Sequence, residues 1–138
     1  MAPGSPRAAY EATTQGVTVR VRPTFLPDQS DATRPRYMWA YTVEIENRSG
    51  VTLQLMRRRW IITDGLNRTE EVVGDGVVGE QPSLKSGEAF RYTSSCPLST
   101  PSGTMRGAYT MVADDGAEFA AEIPEFSLHL PDAARRMN

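Results

Sequence analysis

Residues 37 to 46, YMWAYTVEIE, place Tyr37, Trp39, Tyr41, Val43 and Ile45 at every second position, with Met38, Ala40, Thr42, Glu44 and Glu46 between them. Successive side chains of an extended backbone point to opposite faces, so the pattern predicts a strand with one apolar and one mixed face. β-branched and aromatic residues suit that pleated surface, and no segment shows the 3.6-residue period of an amphipathic helix. An apolar face this wide needs a second layer to cover it, which restricts the fold to stacked sheets or a closed barrel.

The same alternation recurs along the chain. Val17, Val19 and Val21 form a strand expected to end near Pro23 to Pro27, and Asn47 to Gly50 supplies turn chemistry before Leu53 and Leu55. Leu53 and Leu55 are odd-numbered while Trp60 and Ile62 are even, so a one-residue bulge between the pairs is needed if all four are to face the core. The run Arg57, Arg58, Arg59 sits where that bulge falls. Further strands are expected at Thr69 to Val73, Ala89 to Ser95, Met105 to Met111 and Phe119 to Leu128, the last passing Pro124. Asp115-Gly116 is the strongest hairpin signal between them.

About seven strands without a helix predict an all-β fold, an antiparallel β-sandwich of the immunoglobulin or fibronectin type III kind, with a small closed barrel as the alternative. The 138 residues suit one domain, placed at 15–130, with a flexible N-terminal segment at 1–14 and a C-terminal tail at 131–138.

Cys96 and His129 are each the only residue of their kind, which excludes zinc sites drawing several ligands from Cys and His and leaves no internal disulfide. A lone thiol, no apolar leader and no run of about 20 apolar residues give the expectation of a cytoplasmic chain without membrane insertion. A formal net charge of −2 argues against binding duplex nucleic acid. No cofactor is implied.

Gly74, Gly76 and Gly79 spell G-x-G-x-x-G within VVGDGVVGEQP. A dinucleotide fingerprint needs a helix whose first amides hold the pyrophosphate, and Pro82 follows with no helical period behind it. As a P-loop the segment fails too, because Glu80 and Gln81 stand where Lys and Ser or Thr belong. The glycines are expected to serve the backbone of a connection between strands. The alternative is a phosphate or pyrophosphate site built from Gly74, Gly76 and Gly79 with Arg57, Arg58 and Arg59 as the cations.

Glu70, Glu71, Asp75 and Glu80 are near in sequence, but Glu70 and Glu71 point to opposite faces of a strand, so a solvated charged edge is the expectation, with no metal site. Ser94, Ser95 and Cys96 lack an elbow motif and a nearby base, and no enzyme is expected.

The segments RRRWIITDG, GDGVVGEQPSLKSGEAFRYTSSCPLSTPSGTMRGAY and IPEFSLHLP resemble the bacterial ApaG family, over about Tyr10 to Leu130. The resemblance implies a fibronectin type III-like sandwich and makes the glycine segment a family signature, one linked to pyrophosphate binding. It also implies an association with cobalt resistance and magnesium efflux, and a neighbourhood with diadenosine tetraphosphate hydrolysis. Similar domains are appended to F-box adaptors and to a polymerase-interacting protein. The family often has histidine before the signature tryptophan, where this chain has Arg59.

Two functional classes follow. One is a protein-interaction module for an unidentified partner, with a sheet edge or an aromatic patch at Tyr37 or Tyr92 as the receiving surface. The other is a module for a phosphate-containing small ligand such as a dinucleoside polyphosphate. A homodimer through sheet edges is open as well.

Overall fold

The computed structural model describes residues 10–31, 33–34 and 36–130. Nine strands appear among them: β1 (Tyr10–Thr14), β2 (Val17–Phe25), β3 (Tyr37–Asn47), β4 (Leu53–Asp64), β5 (Thr69–Asp75), β6 (Ser83–Leu84), β7 (Ala89–Leu98), β8 (Ser102–Ala113) and β9 (Glu118–His129). Seven answer the strands read from the sequence; β1 and the two-residue β6 are additional. One antiparallel sheet has the order β1-β2-β3-β7, the other β5-β4-β8-β9 with β6 on the end of β4.

The alternating residues form the layer between the sheets. Tyr37, Trp39, Tyr41, Val43 and Ile45 are all buried, as are Val17, Val19 and Val21. Each fully buried side chain of this size contributes about 1.5–3 kcal/mol. Trp60 lies at the centre, with ring centroids 5.2 Å from Tyr41, 6.0 Å from Phe126 and 6.5 Å from Tyr109.

The parity conflict in β4 resolves at Met56, where the pairing of β4 with β8 shifts register between Leu55 and Arg57. Leu53, Leu55 and Trp60 are therefore all buried. Past Pro124 a second shift opposes Met105 to Phe126 and Gly107 to Ile123.

Two boundaries differ from the sequence expectation. Tyr10–Thr14, expected in the flexible segment, pairs with Val17–Val21 across a turn in which Gln15 and Gly16 have φ of 47° and 85°. The rest of that segment, 1–9, and the tail, 131–138, lie outside the described residues. Strand β2 also runs through Pro23 to Phe25. Among the described residues Pro23 pairs with Tyr41 of β3 alone.

The two sides of the sandwich are unlike. On one, β1 and β2 pack against β9, the Glu122 amide donates to Thr14 Oγ1 at 3.0 Å, and Tyr10 meets Phe126. On the other, β5 and β7 end their sheets, and the space between them is a groove.

Candidate functional site

The glycine segment is a small hairpin at one end of that groove. Val77 and Glu80 exchange both backbone hydrogen bonds, at 2.8 and 2.9 Å. The intervening Val78 and Gly79 have φ of 44° and 82°, the positive pair that a type I′ turn uses. A Cβ on Gly76 would lie 2.1 Å from the Glu80 carbonyl oxygen, so glycine is required there on contact alone. The Gly76 amide donates to Met56 O at 2.9 Å and the Val77 amide is spent within the hairpin. No helix follows, since Ser83–Leu84 is extended.

Strand alternation separates the three arginines, and the bulge at Met56 decides which of them faces inward. Arg57 and Arg59 point to the outer face, where Arg57 meets Glu118 at 3.3 Å and Arg59 is ion-paired with Glu71. Arg58 faces inward on the same side of β4 as Trp60. Its Nη1 donates to the carbonyls of Asp75 at 2.9 Å and Gly76 at 2.8 Å. A Cβ on Gly74 would lie 2.7 Å from Arg58 Nη2, so Gly74 leaves the space the guanidinium fills. Of the residues singled out in sequence, Gly74, Gly76 and Arg58 come together, Gly79 forms the hairpin tip, and Arg57 and Arg59 lie across the sheet from them.

Beneath the hairpin a cavity of about 190 Å³ is lined by Tyr41, Arg58, Tyr92 and Ser94 together with Val78 and Gly79. It adjoins a cavity of about 310 Å³ along the groove, which shares Tyr41, Arg58, Trp60 and Ser94 and adds Glu70 and Cys96. Burial pushes the Tyr41 hydroxyl up, opposed by its hydrogen bond with Ser94. Burial, and after it the Glu70 charge, push the Cys96 thiol up to about 11. That is the reverse of what an activated nucleophile needs. His129 is on β9, at the closed side of the sandwich, whereas Cys96 is on β7 at the open side.

The expected aromatic patch does not form. Tyr37 and Tyr92 are 9% and 8% exposed, because both alternate inward on their strands. Glu70 and Glu71 diverge as the strand geometry requires, Glu71 outward to Arg59 and Glu70 into the groove. The groove itself was not visible in sequence, since it depends on which strands end each sheet.

Paired antiparallel sheets, an alternating apolar interior and one open lateral groove define an immunoglobulin or fibronectin type III-like sandwich. Residues 27–113 match the ApaG domain. The chain is 59% identical over 135 residues to Protein ApaG of Caulobacter vibrioides, covering 98% of this chain and 96% of that one. It is 56% identical to Protein ApaG of Methylocella silvestris, covering 94% and 99%. The crystal structure of the ApaA protein from Bordetella pertussis superposes with a TM-score of 0.82 at 51% identity, covering 84% of this chain and 94% of that one. The chain belongs to the ApaG family. Among the described residues no helix is long and apolar enough to cross a membrane.

Proposed function

We propose that this chain is a non-enzymatic, cytoplasmic recognition module that receives an extended segment of a protein partner between the edges of β5 and β7. The observation that carries this reading is the asymmetry of the sandwich: β1 and β9 close one side, while on the other two strand ends flank a groove floored by Tyr41 and Trp60. Unpaired edges offer main-chain hydrogen bonds to an added strand, and alternate side chains of that strand enter the groove. The link to cobalt and magnesium homeostasis that the family resemblance implies is then indirect, through the partner. A second copy of the chain is the competing occupant of the same edges.

Photo-crosslinking side chains at Thr93 and Ser95, exposed on β7, and at Glu122 on the closed side test this. The expected result is one protein captured from Thr93 and Ser95 and not from Glu122. The purified partner should then slow hydrogen exchange in β5 and β7. Equal capture from both sides, or protection confined to β1 and β9, contradicts the reading.

A second reading has its own observation. Among the described residues no carboxylate lies within ion-pair distance of Arg58, and the cavity beneath the hairpin adds the hydroxyl-bearing side chains Tyr41, Tyr92 and Ser94. A phosphate or pyrophosphate group there would be held by this guanidinium and these hydroxyls. The amides of Gly76 and Val77 are already engaged. Titration with pyrophosphate checks it: saturable shifts at Gly74 to Gly79 support a small-ligand module, and an unchanged spectrum at millimolar concentration removes it.

A further inference from the structure

The open side carries one continuous groove. The cavity over Tyr41 and Trp60 and a larger one of about 590 Å³ beyond it share Ile62, Glu70 and Pro97. Arg58, Trp60, Ile62 and Asp64 follow one another along the inner face of β4 and give the groove its length. The seven strand residues from Arg58 to Asp64 are six steps of ~3.3 Å, a span of about 20 Å and the reach of about seven residues of extended peptide.

Charge is distributed along this groove in a definite order. Arg58 stands at one end; Arg34, Arg36 and Arg68 line the other; Glu70 faces in between them. Asp64 is engaged by Arg68 at 2.7 Å, and Arg34 lies 3.8 Å from Asp31. Among the described residues Arg36, like Arg58, has no carboxylate within ion-pair distance. Backbone hydrogen bonds with Asp31, at 2.7 and 3.1 Å, hold Arg36 at its position. Four guanidiniums against the carboxylates of Asp64, Glu70 and the neighbouring Asp31 leave an excess of one positive charge in a chain whose net charge is −2.

We infer that the partner segment is acidic at its two ends and apolar at its centre, with one carboxylate at Arg58 and a second, about six residues along, at Arg36. This inference rests on the reading of the groove as a peptide site. Residues six apart on a strand share a face, so both carboxylates enter the groove together. Glu70 repels a third acid between them, and Trp60 and Ile62 favour apolar side chains there. Opposite charge at the ends fixes register and suppresses wrong partners.

The test uses the full chain and labelled heptapeptides with blocked termini, Glu-Thr-Val-Thr-Val-Thr-Glu and its Gln-ended and Lys-ended counterparts, in which positions 1, 3, 5 and 7 share the groove face, followed by fluorescence anisotropy. The Glu-ended probe is expected to bind about tenfold more tightly than the Gln-ended one, and the Lys-ended probe more weakly than both. Arg36→Glu changes an exposed residue and should abolish most of that preference while leaving the Gln-ended probe unaffected. Arg58→Gln should act in the same direction, with folding checked by circular dichroism. Equal binding of the Glu-ended and Gln-ended probes overturns the acidic chemistry and leaves the groove a peptide site. No binding of any probe overturns both. Equally tight binding of a short oligothymidylate overturns the peptide assignment in favour of a phosphate backbone.

Discussion

The hydroxyls of Tyr92, on β7, and Tyr109, on β8, meet at 2.5 Å in the interior between the two sheets. Each satisfies the other, and Tyr109 is fully buried. Removing one leaves the other unpaired, at a cost of about 1–3 kcal/mol, whereas removing both leaves two apolar rings. Tyr92→Phe and Tyr109→Phe should each destabilise by that amount, and the double variant by clearly less than their sum, as urea unfolding would show.

The same interior fixes the response to alkali. Burial raises Tyr92, Tyr109 and Tyr41, and raises Cys96 to about 11. Groups raised on folding stabilise below their unfolded values and lose that contribution as pH climbs toward the folded ones. Unfolded thiols and phenols release protons at about 8.5 and 10. Thermal melts should therefore show no loss from these groups up to about pH 8 and a progressive fall above about pH 9, steeper than in Tyr92→Phe/Tyr109→Phe.

Strands were legible where one side of the backbone is uniformly apolar, as in β3. The conflict between Leu55 and Trp60 even located a bulge, which the structure puts at Met56. What was not legible follows from that bulge. Alternation puts Arg58 on the face opposite Arg57 and Arg59, but only the position of the bulge, at Met56, decides which of the two faces is the inner one. Strand β1 was missed because Tyr10, Ala12 and Thr14 carry a weak pattern and Gln15-Gly16 is not a strong turn signal. Arg68 is distant in sequence from Arg34 and Arg36, and they converge only because the segment before β3 and the turn before β5 reach the same end of the groove.

Cys96 reports on the groove. With its thiol at about 11, roughly 0.1% is thiolate at pH 8, so iodoacetamide should modify it far more slowly than a free cysteine. Glu70→Gln removes one of the two causes of the shift and should accelerate modification without changing the fold. Mass spectrometry against time at several pH values gives the rate; fast labelling at pH 8 would contradict the buried environment.

The hairpin contains its own control. Val78 holds φ of 44° although a β-branched residue is strained there, and it is exposed. Val78→Asn supplies the residue this turn prefers and should stabilise by about 1 kcal/mol. Gly79→Ala meets open space and should cost about 1–2 kcal/mol for its conformation alone. Gly76→Ala adds a collision with the Glu80 carbonyl and should cost more than Gly79→Ala. Denaturation midpoints that rank the variants otherwise would contradict the turn geometry.

Three adjacent arginines make the bulge itself testable. Arg58→Met withdraws the donor shared by the Asp75 and Gly76 carbonyls, and hydrogen bonds from a charged group are worth about 1.5–3 kcal/mol. Arg57 and Arg59 make exposed pairs with Glu118 and Glu71, and such pairs contribute about 0–1 kcal/mol. Arg57→Met and Arg59→Met should therefore barely move the unfolding midpoint. Arg58→Met should lower it and speed exchange at the Gly76 amide, whose acceptor is Met56 at the bulge. A regular strand without the shift would turn Arg58 outward and Arg57 and Arg59 toward the core, so the opposite ranking would place the bulge elsewhere and with it the inward cation on which the groove's charge pattern depends.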